Sequence, residues 1–160
     1  MNEAIGLEAL DTEPKKGYIA FDLDGTLALY DHFRGWDQIG EPIVKNIGRV
    51  KSFLSRGIEV KILTARCSDV SVALNKGVTK EMVIRNIKNW CQIHIGVELD
   101  VISEKDAFMI CLFDDSVVQV EANTGEITGS LQPFLKRIAE ASCPKDHCPS
   151  VVEVKLDGLT

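Results

Sequence analysis

The sequence predicts an α/β protein, a three-layer sandwich around a mainly parallel, Rossmann-like sheet. Short β-prone apolar runs alternate along the chain with segments of helical spacing, an order typical of parallel sheets covered by helices. Polar residues follow three of the predicted strands directly, namely Asp22, Thr64 and Asp114. Because ligands bind at the carboxyl ends of the strands in such sheets, we expect these positions to share one site.

The first half of the chain contains two predicted strands, a flap and a helix. Tyr18–Phe21 is a short apolar run that ends at an acidic pair, which favours a buried strand. Residues 27–42 show no period and contain three aromatic side chains, so we expect a long loop or small flap, and such loops are commonly functional. Apolar residues recur at helical spacing over 41–56, with Gly57 at the stop, and Glu59–Leu63 is the next strand.

The second half repeats this alternation. Residues 68–77 have mixed composition and are predicted to form a connection. Thr79 is well placed to cap a helix that runs to about His94, with Trp90 and Cys91 on its inner face. The remaining predicted elements are strands over 99–102 and 109–113, a hairpin over 117–127, a helix over 131–141 and an edge strand over 151–156.

Composition describes an ordinary globular chain with no membrane partner. The 160 residues are 45% hydrophobic and 26% charged, and no apolar run approaches the roughly 20 residues that cross a bilayer. Residues 1–16 lack the layout of a signal peptide, so we expect a loose tail there and a single cytoplasmic domain over 17–160. Five scattered cysteines indicate reduced thiols, and Cys91 and Cys111 are expected in the core.

The net charge of −6 limits the possible partners. A surface of this sign repels nucleic-acid phosphates, so a nucleic acid is expected only as a substrate end. A local pocket can still bind one phosphate group, and we expect a small phosphorylated substrate. The oligomeric state is left open by the sequence.

The acidic residues at the predicted strand ends indicate a metal site. Two carboxylates about 4 Å apart repel by roughly 4 kcal/mol at an effective dielectric near 20, and several such pairs would strain a marginally stable domain. A hard divalent cation removes this conflict, and Mg²⁺ prefers carboxylates, waters and phosphate oxygens. If Asp22, Asp24, Asp114 and Asp115 converge, the sequence predicts bound Mg²⁺.

The same residues suit phosphoryl transfer. Asp22, the first acid after the apolar strand, is the natural nucleophile, and Asp24 could protonate the leaving oxygen and later activate water. Gly25 permits a sharp turn that brings backbone amides close to a phosphate. Thr64 offers a hydroxyl to a phosphoryl oxygen, and Lys105 could offset the charge of phosphate and nucleophile.

These motifs resemble those of haloacid dehalogenase superfamily phosphatases. Phe21–Leu27 matches the first motif of that superfamily, Leu63–Arg66 is similar to the second, Lys105 fits the third and Leu112–Asp115 resembles the acidic fourth. The similar span runs over 18–126, most of the chain.

The resemblance implies an aspartyl-phosphate intermediate and a Mg²⁺ site. Asp22 would bind the cation through its side chain and Asp24 through its carbonyl oxygen, with Asp114 as the third direct ligand. Asp115 would either bind the cation as well or only support Asp114 without binding the cation itself. Residues 28–40 are too few for the large cap domain common in the superfamily, so the site is expected to be open.

Several alternatives stay open at this stage. Thr64 could cap a turn, Arg66 could clamp phosphate or face solvent, and Lys61 or Lys80 could replace Lys105. The aromatic residues of the flap, Tyr30, Phe33 and Trp36, could pack the flap or stack on a substrate base. Besides hydrolysis of small phosphomonoesters, two other functions fit the sequence: a phosphatase for nucleic-acid ends and a non-catalytic module that binds Mg²⁺ and phosphate.

Overall fold

The computed structural model describes residues 17–142, and the sheet within that range is parallel throughout. Four strands lie in the order β3-β2-β1-β4. They are β1 (Tyr18–Phe21), β2 (Glu59–Leu63), β3 (Asp100–Ile102) and β4 (Met109–Phe113). The helices are α1 (Val44–Ser55), α2 (Asp69–Ala73), α3 (Lys80–His94) and α4 (Gln132–Ser142), with a 3₁₀ turn at Ala65–Cys67. The alternation of strands and helices confirms the predicted α/β class.

The contacts divide the chain into two units, one up to Asp115 and one from Ser116 onward. The whole sheet lies in the first unit. The single domain expected over 17–160 stays a prediction. The tail predicted over 1–16 and the edge strand predicted over 151–156 lie outside the described residues.

Strand β1 is the most deeply buried element of the sheet. All four of its residues are buried, because β2 pairs with it on one side and β4 on the other. In register, Phe21 lies opposite Ile62 of β2 and Phe113 of β4. The rings of Phe21 and Phe113 stack with centroids 4.4 Å apart. The three strands therefore end close together, and the residues that follow them are placed side by side.

Local capping sets the bounds of the helices. Thr79 accepts a hydrogen bond from the backbone N–H of Met82 at 3.3 Å, which confirms it as the cap of α3. Ser68 accepts a hydrogen bond from the backbone N–H of Ser71 at 3.2 Å and caps α2. This short helix lies inside the segment that was predicted to be a plain connection. Helix α1 begins at Val44, a few residues later than expected, because Pro42 pairs with Ala28 instead.

The flap, residues 28–40, is held at its base by backbone contacts. Ala28 bridges Pro42, and the backbone N–H of Leu29 donates to the carbonyl oxygen of Glu41 at 2.8 Å. The indole of Trp90, in the core beneath, donates to the carbonyl oxygen of Gly40 at 3.0 Å. The predicted flap is thus a loop with tied ends, and Trp90 is a core residue as expected.

The two cysteines expected in the core behave differently. Cys91 on α3 is fully buried, and burial raises the pKa of its thiol to about 12. Cys111 on β4 is exposed, so that prediction was wrong. The reason is its position in the sheet: within residues 17–142, β4 is an edge strand and pairs only with β1, which leaves Cys111 and its neighbour Ile110 accessible.

The second unit contains a short hairpin and α4. Val120 pairs with Ile127 in an isolated antiparallel bridge, and the backbone N–H of Glu121 donates to the carbonyl oxygen of Glu126 at 2.7 Å. Asn123 and Gly125 adopt positive φ angles of 67° and 81° in the turn. The predicted hairpin is confirmed, although each of its arms is too short to count as a β-strand.

Helices that could span a bilayer are not found among residues 17–142, because none combines the necessary length with an apolar composition.

We predict that Gly40→Ala lowers the free energy of unfolding by about 2 kcal/mol or more, because the new methyl group would overlap the backbone carbonyl of Leu29. The matched control is Gly48→Ala in the exposed middle of α1, where the added carbon meets nothing within 4 Å. The free energy of unfolding of Gly48→Ala should rise by about 0.5–1 kcal/mol, because alanine is a better helix former than glycine. Urea unfolding of the three proteins measures both effects, and equal stabilities would contradict the prediction.

Candidate active site

Three carboxylates meet at the carboxyl ends of β1 and β4. Asp22 directly follows β1, and Asp114 and Asp115 directly follow β4. The backbone N–H of Asp22 donates to the carbonyl oxygen of Phe113 at 2.9 Å, so strand pairing continues to the first residue of the site. One carboxylate oxygen from each of the three residues lies within 4.8 Å of the others. Of the four acids that were expected to converge, three therefore bring their carboxylates together, and Asp24 is not one of them.

The pKa of Asp22 reflects this crowding. Burial raises it most, the charge of Asp114 raises it further, and the carboxyl group reaches a pKa of about 7. The charges of Asp24 and Asp115 add to the shift, while a hydrogen bond from the backbone N–H of Leu23 opposes it. Without a cation, about half of the Asp22 side chains would carry a proton at neutral pH.

Gly25 and Thr26 fix the position of Asp115. Gly25 has a φ of +88°, and a Cβ atom at this residue would lie 2.7 Å from Oδ2 of Asp115. The hydroxyl of Thr26 accepts a hydrogen bond from the backbone N–H of Asp115 at 3.1 Å. It also donates one to Oδ1 of Asp115 at 3.4 Å. The predicted turn at Gly25 is thus present, and the lack of a side chain at Gly25 leaves room for the Asp115 carboxylate. Its own N–H donates to the carbonyl oxygen of Ala28 at 2.8 Å.

Asp24 lies in the same loop but is bound to Arg66. The guanidinium donates to both carboxylate oxygens of Asp24, at 2.6 and 2.8 Å. Its other N–H groups donate to three flap carbonyls, those of Gly35, Trp36 and Gln38, at 3.1, 3.2 and 2.9 Å. An arginine has five N–H donors, and all five are used here.

Arg66 therefore connects Asp24 to the flap. Its side chain is only 5% exposed, so it does not face solvent. The predicted contact between Arg66 and a phosphate stays a prediction, and it would require one of these five hydrogen bonds to open.

Thr64 is buried at the end of β2 and has a local partner. Its hydroxyl oxygen accepts the backbone N–H of Arg66 at 3.2 Å and so caps the 3₁₀ turn. The hydroxyl hydrogen is still available to donate, because a hydroxyl combines one donor with two acceptor lone pairs. Capping and phosphate binding are therefore compatible at this residue.

Lys105, the residue predicted to offset phosphate charge, is exposed and lies in the loop between β3 and β4. Its two competitors are occupied elsewhere. Lys61 lies over the ring of Tyr18 and forms an ion pair with Glu59, and Lys80 forms one with Asp69. Of the described residues that line the cavity beside Asp22, none is Lys105, Lys61 or Lys80, so the contact of Lys105 with a substrate stays a prediction.

A cavity of about 510 Å³ opens beside Asp22 and Asp24. Four groups of residues line it: the acids Asp22 and Asp24; the flap aromatics Tyr30, Phe33 and Trp36; the turn residues Thr64, Ala65 and Arg66; and Ser71, Leu74 and Asn75 of the α2 region. Tyr30 and Phe33 are about half exposed, and neither belongs to the hydrophobic core.

The chemistry of the three carboxylates suits a small hard cation. In octahedral coordination at about 2.1 Å, neighbouring oxygens lie about 3 Å apart and opposite ones about 4.2 Å. The three carboxylate oxygens, within 4.8 Å of one another, would have to move closer together by an ångström or so to reach that geometry, about the range of a side-chain rotation. The raised pKa of Asp22 agrees with this, because burial and then the charge of Asp114 disfavour its ionised form, and a cation would offset both effects. The residues present therefore fit a Mg²⁺ ion held by Asp22, Asp114 and Asp115.

Sequence reasoning missed three features of this site. The contacts of Arg66 with the flap and of Thr26 with Asp115 join residues far apart in the chain, and no local pattern signals them. Leu74 and Asn75 were overlooked because their segment was treated as a connection. Ser68 followed by Asp69 is a helix-start pattern that could have indicated α2.

Comparison with known proteins adds no relative, since no protein-family model, curated protein or solved structure matches this chain.

We predict that the metal-free protein becomes less stable as pH rises from about 4 to about 7, and that Asp22→Asn removes much of this loss. The pKa of Asp22 is about 7 in the folded chain, against an ordinary value of 3.8. Between these values the folded state holds a proton that the unfolded state has released, so a higher pH favours unfolding. After allowance for solvent screening, the gain from Asp22→Asn is about 1–3 kcal/mol at neutral pH and above.

Urea unfolding in chelator at about pH 5 and about pH 8 measures this effect. Asp100→Asn, on the amino end of β3, is the matched control: it removes only an exposed ion pair with Lys88 and should follow the pH dependence of the wild type. If Asp22→Asn showed the same pH dependence as the wild type, the assigned electrostatic origin would be wrong.

We also predict that Gly25→Ala weakens binding of a divalent cation by about tenfold or more, because the added methyl group displaces the Asp115 carboxylate. Gly77→Ala is the control, since Gly77 has a similar φ of +79° but nothing within 4 Å of the added carbon. Both variants should lose about 1–2 kcal/mol from backbone strain. Calorimetric titration with Mg²⁺ separates them, and equal affinities would contradict the assignment.

Proposed function

We propose that this chain is a Mg²⁺-dependent phosphomonoester hydrolase of the haloacid dehalogenase type, with Asp22 as its nucleophile. In this proposal the parallel sheet is the centre of the three-layer sandwich of that superfamily. The convergence of the Asp22, Asp114 and Asp115 carboxylates, of which Asp22 also lines the cavity, is the observation that carries it. The proposed nucleophile Asp22, the proposed general acid and base Asp24 and the hydroxyl donor Thr64 all line that cavity.

In the first step, a carboxylate oxygen of Asp22 attacks phosphorus and the bond from phosphorus to the leaving oxygen breaks. Asp24 gives its proton to that oxygen, and an alcohol leaves. In the second step, water attacks the same phosphorus, Asp24 takes a proton from it, and the phosphorus bond to Asp22 breaks. Phosphate is released and both carboxyl groups return to their starting states.

Arg66 would hold Asp24 in position for this role. A carboxylate has about four lone-pair positions on its two oxygens, and Arg66 uses two of them. The remaining lone pairs can bind a proton while Arg66 keeps the group in place. The hydroxyl of Thr64 would donate to a phosphoryl oxygen, and Lys105 would offset charge from the loop before β4.

The cation would supply charge neutralisation for the phosphoryl oxygens and the nucleophile. Asp22, Asp114 and Asp115 would hold it through their side chains, with Asp24 adding its carbonyl oxygen. A bound cation also lowers the pKa of Asp22, so the nucleophile would be ionised at neutral pH.

We predict that the wild-type protein releases phosphate from 4-nitrophenyl phosphate with Mg²⁺ and loses this activity in excess chelator. Asp22→Asn should lower kcat by about a thousandfold or more, because the covalent step is removed. Asp100→Asn, at the opposite end of the sheet from the site, should keep the wild-type rate. Circular dichroism of both variants checks folding.

Two results would count against the proposal. Turnover that survives in excess chelator would exclude the Mg²⁺-dependent step. Binding of Mg²⁺ and beryllium fluoride without hydrolysis of any phosphomonoester would instead identify a non-catalytic module.

A further inference from the structure

The cavity beside the carboxylates is lined by two chemically different kinds of side chain. Asp22, Asp24 and Thr64 are polar, and the reacting phosphate would lie against them. Tyr30, Phe33 and Leu74 line it as well and bring large apolar side chains to the same space. The volume of about 510 Å³ lies within the range of pockets that bind small ligands, roughly 300–1,000 Å³. A bare phosphate ion would fill only a small part of it.

The apolar side chains are poorly covered by the rest of the protein. Tyr30 is 47% exposed, Phe33 50% and Leu74 80%. They come from two separate segments, the flap and the end of α2, yet they line one cavity. Apolar groups gathered in this way gain from a ligand that removes them from water, and flat aromatic rings bind other flat rings by stacking.

The charges of the cavity restrict the ligand further. Arg66 is the one cationic residue among the described residues that line the cavity, and its five N–H groups are all bound to Asp24 and to flap carbonyls. No other lining residue can neutralise a second phosphate, and the carboxylate of Asp24 would repel one. The part of the ligand beyond the reacting phosphate should therefore be uncharged.

Polar groups lie beside the apolar wall. Ser71 and Asn75 also line the cavity, and the Asn75 side chain donates to the carbonyl oxygen of Ser71 at 2.8 Å. An amide carries a second N–H and an acceptor oxygen besides this donor. These groups could hydrogen-bond to the polar atoms at the edge of a heterocyclic ring. A hydrocarbon ligand has no atoms that could form such bonds.

We propose that the substrate is a monophosphate ester of nucleoside size, with a single phosphate at Asp22 and an aromatic base against Tyr30, Phe33 and Leu74. This inference rests on the proposed phosphatase function and specifies its substrate class. A sugar phosphate would leave the apolar wall in water, and a nucleoside diphosphate would carry a charge that nothing in the cavity balances.

The first test compares hydrolysis of adenosine 5′-monophosphate with that of ribose 5-phosphate, which has the same phosphate and sugar but no base. The wild-type kcat/KM should be about 50-fold higher for the nucleotide, and adenosine 5′-diphosphate should be a poor substrate. Phe33→Ala and Leu74→Ala should each reduce the ratio of nucleotide to ribose 5-phosphate by about tenfold.

Leu74→Ala is the cleaner of the two variants, because the ring of Phe33 also lies 5.7 Å from the guanidinium carbon of Arg66. Its matched control is Val70→Ala, on the same helix and 73% exposed, but outside the residues that line the cavity. Val70→Ala should keep the wild-type ratio. Equal kcat/KM values for the two substrates in the wild type would overturn the proposal.

The second test measures binding and stays informative even if no ester is hydrolysed. Trp36 lines the cavity, whereas Trp90 is 7% exposed in the core, so a stacked base should quench mainly the fluorescence of Trp36. In Asp22→Asn protein with Mg²⁺, adenosine 5′-monophosphate should quench and ribose 5-phosphate should not. The signal should disappear in Asp22→Asn/Trp36→Phe.

These measurements separate the two proposals. Nucleotide binding without hydrolysis would defeat the phosphatase function and keep the substrate class. Hydrolysis of both esters at equal rates would support the phosphatase function and defeat the proposed substrate class. A 3′-phosphorylated oligonucleotide that is cleaved much faster than the mononucleotide would overturn the inference in favour of nucleic-acid ends.

Discussion

The parallel pairing of β1 with β4 is the constraint on which the site depends. Phe21 lies opposite Phe113, and the hydrogen bond from Asp22 to the carbonyl oxygen of Phe113 carries the pairing one residue past the strand. Acidic residues from two distant parts of the chain are thereby held together on rigid backbone. Burial and mutual repulsion raise the pKa of Asp22 to about 7, an arrangement that a cation would relieve.

A second interaction, between Arg66 and Asp24, connects this acidic centre to the flap. The ion pair is largely buried, and removing one partner of a buried pair commonly costs about 3–5 kcal/mol, because the other charge is left without compensation. The same guanidinium fixes three carbonyl groups of the flap, and the flap carries the aromatic wall of the cavity. The orientation of the proposed general acid and the shape of the cavity therefore depend on one side chain.

Sequence reasoning was most accurate where a pattern is local. Strands β1, β2 and β4 have the predicted bounds, because each ends in apolar residues that a polar residue follows directly. It failed where neighbours in space decide the outcome. Cys111 lies in an apolar run but is exposed, because β4 forms the edge of the sheet. Helix α2 is only five residues long, too short for apolar periodicity to identify.

By itself, the sequence determined which acidic and hydroxyl groups follow each strand, and hence which residues could share a site. Asp22, Thr64 and Asp114 were assigned in this way, since a strand end is a local property of the chain. The tertiary structure alone decided that β1 lies between β2 and β4, that Arg66 holds Asp24, and that the flap and α2 enclose one cavity. The reason is physical: these contacts join residues tens of positions apart, and only the packing of the whole sheet brings them within hydrogen-bonding distance.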